Sequence, residues 1–90
     1  MEATRAEVEK ALKQLGGVKD NSGHLNYKIT VDGKTIGKAS ISHSWTKLDK
    51  GLLRLVARQA KLSPDQLYDV VQGKKDLDWY RAHLKENDLL

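Results

Sequence analysis

Ninety residues, 39% hydrophobic and 31% charged with a single proline, describe one domain over residues 1–90, too polar to span a membrane and too apolar to stay disordered. The formal charge of +4 is unevenly placed: residues 1–62 hold twelve Lys/Arg against six Asp/Glu (+6), and residues 63–90 hold four against six (−2). Cysteine is absent, and three histidines at 24, 43 and 83 lack ligand spacing, which excludes a disulfide-linked partner and leads to an expectation of no metal and no cofactor.

The polar stretch Met1 to Arg5 lacks the apolar run of a secretory signal, so the expected compartment is cytoplasmic and no membrane partner is expected. Thr4-Arg5-Ala6-Glu7 forms a capping-box pattern. Val8, Ala11, Leu12 and Leu15 then recur at helical spacing until Gly16-Gly17 permits a stop. Residues 18–23 are turn-rich, with room for one short strand. Leu25, Tyr27, Ile29 and Val31 alternate with polar residues as a half-buried strand does. Asp32-Gly33 marks a two-residue hairpin turn, Lys34 to Ser42 returns as a second strand, and Gly37 within it predicts a bulge or bend.

Ser42 to Leu62 reads as a loop feeding an amphipathic helix, with Asp49 as N-cap. Leu52, Leu53, Leu55, Val56, Ala60 and Leu62 gather on one side of the wheel; Lys47, Lys50, Arg54, Arg58 and Lys61 gather on the other, with no acid after Asp49. Such a row is either a solvated face or a surface for an anionic partner. Ser63-Pro64-Asp65-Gln66 opens another helix, with Leu67, Val70 and Val71 inward and Gly73 at its end. Asp76 to Lys85 is expected to be a last helix, anchored by Leu77, Trp79, Tyr80 and Leu84, with His83 solvated.

In their order, Gly23-His24 with Tyr27 three residues on, then Ser42-His43-Ser44, then Lys50-Gly51 opening a basic helix that ends Ala60-Lys61-Leu62, resemble the HicA toxin family, small mRNA interferases of bacterial and archaeal toxin–antitoxin systems. The resemblance covers residues 4–68, and residues 69–90 form a C-terminal helical extension without a family role. Ser22 stands where the family often has glycine, and Ile41-Ser42 lacks the proline often found before the second histidine. The resemblance implies an α+β fold, α-β-β-β-α and double-stranded-RNA-binding-domain-like, here with one or two additional C-terminal helices. It also implies a metal-independent endoribonuclease on mRNA, His24 as the catalytic residue, and an antitoxin protein as partner.

The residues themselves leave His24 two readings: a polar residue at a strand entrance, or a general base that takes the proton of a ribose 2′-hydroxyl. Gly23 beside it would admit a close backbone, and Lys28, Lys50 or Arg54 would offset the phosphate charge if they converge. His43 is either a second acid/base or a donor that orders its loop, and Trp45 is either a base-stacking platform or a lid over the core. Lys28, Lys47, Lys50, Arg54, Arg58 and Lys61 are the candidate RNA-binding set, since phosphate contacts come mainly from Lys and Arg. The alternatives are a non-catalytic RNA-binding module of the same fold, and a protein-interaction adaptor using the basic helix or the extension.

Overall fold

The computed structural model describes residues 1–20 and 25–90. In chain order these form β1 (Ala3–Thr4), α1 (Arg5–Gln14), β2 (Gly17–Lys19), β3 (Leu25–Val31), β4 (Lys34–Ile41), β5 (Lys47–Leu48), α2 (Lys50–Gln59), α3 (Pro64–Val71) and α4 (Leu77–Glu86). Strands β2, β3 and β4 build an antiparallel sheet in that spatial order, so α1 to α2 has the expected α-β-β-β-α topology and α3 and α4 are the added helices. The pairing of β1 with β5 was not legible in the sequence: Ala3 lies opposite Leu48 and Thr4 opposite Lys47, fastening the N-terminus beside the start of α2. Among the described residues no helix is long and apolar enough to cross a membrane.

The caps form as their residue types dictate. Thr4 and Glu7 close a reciprocal capping box on α1, Ser63 and Gln66 do the same on α3, and Asp49 accepts the Leu52 N–H at 3.0 Å to start α2. Asp32 and Gly33 both take positive φ, 51° and 79°, as a type I′ turn requires. That turn alone would pair Lys28 with Gly37. A register shift between Ile29 and Thr30 instead brings Ile29 opposite Gly37 and Lys28 opposite Lys38. The slip flips the second half of β4, turning Ala39 and Ile41 into the core and Lys38 and Ser40 outward.

Gly37 owes its identity to the helix behind it. A Cβ there would stand 2.5 Å from the backbone oxygen of Gln59 at the end of α2, and Gln59 Oε1 accepts the N–H of Ser40 at 2.9 Å on the same strand. Gly37→Ala is therefore expected to cost about 1–3 kcal/mol by forcing α2 away from β4. The check is a lowered urea midpoint with unchanged slope; an unchanged midpoint would mean that this contact is absent in solution.

One hydrophobic cluster joins Val8, Leu12 and Leu15 of the first helical segment, Tyr27, Ile29 and Val31 of β3, Leu53 and Val56 of α2, Leu67 and Val70 of α3, and Tyr80 and Leu84 of α4. The extension closes the C-terminal end of α2: Tyr80 donates its hydroxyl to the Ala60 carbonyl at 2.7 Å, and His83 Nε2 lies 2.9 Å from the Lys61 carbonyl. These carbonyls have few intrahelical donors left, so side chains from α4 satisfy them. His83 is accordingly not merely solvated; it is half-buried and stacks on Trp79 at 5.0 Å, while Lys75 Nζ sits 5.0 Å over the Trp79 ring. Arg81 reaches the hairpin turn, its Nε 3.1 Å from both Asp32 carboxylate oxygens.

Candidate nucleic-acid interface

Helix α2 buries Leu53, Val56 and Ala57 against the core, which leaves Lys50, Arg54 and Arg58, four residues apart, on the opposite face. All three are exposed, as are Lys47 in β5 and Lys61 just past the helix, where the backbone turns with φ 63°. Elsewhere Arg5, Lys38, Lys75 and Arg81 each stand in an ion pair with a carboxylate. Among the described residues none of Lys47, Lys50, Arg54, Arg58 and Lys61 does. The positive charge of this face is left without internal compensation. Leu55, read from the wheel as inward, is 51% exposed and lies at the edge of the basic row, one turn before Arg58. The buried stripe of α2 is narrower than its apolar content suggests, because β4 and α3 cover only one side of it.

The Ser42–Ser44 loop is held by a chain of polar contacts reaching into the core. Arg5 Nη1 donates to the backbone carbonyl of His43, and Arg5 Nε lies 3.8 Å from Glu9, whose other oxygen accepts the Tyr27 hydroxyl at 2.5 Å. Burial first, then the neighbouring Glu9 carboxylate, pushes the Tyr27 phenol well above its ordinary range, so it remains a donor. Within the loop the Ser42 and Ser44 hydroxyls meet at 2.8 Å, and the Trp45 N–H donates to the Ser42 carbonyl at 3.2 Å. The His43 residue is exposed, and Trp45 is half-buried against the core cluster.

Gly23 and His24 lie outside the described residues. Lys28 sits on the face of the sheet that points away from the helices, since its neighbours Tyr27 and Ile29 are fully buried on the other side. It does not share a face with Lys50 and Arg54, so the cations considered as partners of one phosphate divide between two layers. Sequence reasoning missed Arg5 and Glu9, which gave no signal beyond their i, i+4 spacing. It also missed Lys38, whose pairing depends on the bulge. Among the described residues no group of three or more His, Cys, Asp or Glu could hold a metal ion. No family model, no curated protein and no solved structure matches this chain.

Proposed function

We propose that this chain is a HicA-like RNA-binding toxin of the cytoplasm, acting as a metal-independent endoribonuclease on mRNA and held in check by an antitoxin protein. The observation that supports it is the uncompensated cationic face of α2, carried on an α-β-β-β-α scaffold. Lys50, Arg54 and Arg58 contact RNA phosphates there, with Lys47 and Lys61 at the two ends.

In the catalytic step His24 takes the proton of a ribose 2′-hydroxyl. The 2′-oxygen attacks the adjacent phosphorus, the bond from phosphorus to the 5′-oxygen breaks, and that oxygen leaves with a proton from a second acid or water, giving a 2′,3′-cyclic phosphate and a 5′-hydroxyl. His43 is the candidate second acid. Lysine and arginine side chains that contact the phosphate offset the charge gathering on its non-bridging oxygens.

The test compares wild type with His24→Ala on a labelled messenger fragment, following cleavage by gel and binding by anisotropy. Cleavage is expected to fall by about 10²- to 10⁴-fold in the variant, the usual contribution of a positioned acid or base, with binding retained. A wild type that binds RNA but leaves it intact overturns the enzyme and favours the non-catalytic RNA-binding module. The exposure of Leu55 at the edge of the basic row favours a further reading, a protein partner with an acidic, partly apolar surface seated on α2. Binding of RNA that weakens little with salt would support that reading over phosphate contact.

A further inference from the structure

Lys28 of β3 and Lys38 of β4 stand directly opposite each other on the open face of the sheet, and both are exposed. Like charges opposite one another on neighbouring strands destabilise a sheet. Asp20 offsets part of this, its carboxylate 3.6 Å from Lys38 Nζ, whereas Lys28 stands in no ion pair among the described residues. Val18 faces the same side from β2, opposite Lys28 and 67% exposed. Together with Lys19, these residues line a depression of about 340 Å³.

Along β3, Asn26 and Thr30 flank Lys28 on the same face. Alternate residues of a strand lie about 6.7 Å apart, close to the separation of successive phosphates in an extended single strand. Ser40 donates its hydroxyl to Asn26 Oδ1 at 2.6 Å, which leaves the Asn26 side-chain N–H donors without a partner among the described residues. The face thus offers cations and neutral donors in a row. Neighbouring strands are about 4.8 Å apart, so a sheet of three is wide enough for one backbone and too narrow for a duplex.

We propose that Lys28 and Lys38 hold the phosphodiester backbone of a single RNA strand running along the open face of the sheet, on the opposite side from α2. This rests on the RNA-binding reading above and adds a second surface to it, with Lys38 and Asn26 as contacts. Phosphate displaces Asp20 from Lys38 as it binds and relieves the repulsion between the two lysines. With Val18 as the large apolar contact, recognition is of backbone and not of base sequence.

The test titrates a short uridine oligonucleotide into the full chain and into Lys28→Thr/Lys38→Thr, whose threonines suit a strand. The double variant is expected to bind about 20-fold more weakly at 0.1 M salt, with the log–log salt slope reduced by about 1.4. Its urea midpoint should equal or exceed that of wild type, because a like-charge pair has been removed and the Lys38–Asp20 pair lost with it is solvent-exposed and contributes little. In wild type, the amide resonances of Val18, Lys28 and Lys38 should shift on adding the oligonucleotide. Equal affinity and slope in the two proteins, with those resonances unmoved, would overturn the proposal while leaving RNA binding by α2 intact. Failure of wild type to bind the oligonucleotide at all would remove both. Inorganic phosphate that moves the same resonances as strongly at equal phosphate concentration would assign the pair to a free anion and overturn the RNA assignment.

Discussion

Tyr80→Ala is expected to lower the stability of the chain by about 3–5 kcal/mol, the range for truncating a buried aromatic to alanine. The side chain is fully buried in the cluster that includes Leu53 and Leu67, and its hydroxyl is the donor for the Ala60 carbonyl at the end of α2. The substitution therefore opens a cavity and also strips a helix-terminal acceptor of its partner. Against a total stability of about 5–15 kcal/mol for a domain of this kind, the loss leaves little margin. Tyr80→Phe separates the two contributions, since it keeps the ring and removes only the hydrogen bond, for an expected cost of about 1–3 kcal/mol. Urea unfolding of the three proteins provides the check. A Tyr80→Ala chain as stable as wild type would mean that α4 is undocked in solution and that the extension is an appendage.

Replacing Lys50, Arg54 and Arg58 together by alanine is expected to weaken RNA binding on the order of 10²-fold at 0.1 M salt and to reduce the salt slope by about 2 to 3, one increment for each lost phosphate contact. Folding should be untouched. All three side chains are exposed, form no ion pair among the described residues and sit on a helix where alanine is the best former. An equal loss of affinity at every salt concentration would point away from phosphate contact and toward a changed helix surface. Retained affinity with an unchanged slope would remove α2 from the RNA interface altogether. Leu55→Ser gives the complementary reading: it leaves the charge in place, so RNA binding should persist, whereas a protein partner docking on the same face should lose an apolar anchor.

Local chemistry was enough to foresee much of this molecule. Capping residues at Thr4, Asp49 and Ser63, the alternation of Leu25 to Val31 and the Asp32-Gly33 turn each depend on contacts within a few residues, so they can be read from order alone. The basic row on α2 was legible for the same reason, because helical periodicity places side chains on a face without reference to the rest of the fold.

Long-range packing determined what local pattern could not. The partner of Lys28 was set by a slip in register that satisfies the burial of Ala39 and Ile41, and hence by the core, since the turn alone would have placed Gly37 there. His83 looked solvated because nothing nearby in sequence engages it fully; its partner, the Lys61 carbonyl, lies 22 positions away and needs α4 to fold back. Leu55 looked buried because a wheel records apolarity and not which neighbours arrive to cover it. Arg5 reaches the His43 carbonyl only after the N-terminus is fastened along β5, so that anchor of the loop exists in the tertiary structure and nowhere in the linear pattern.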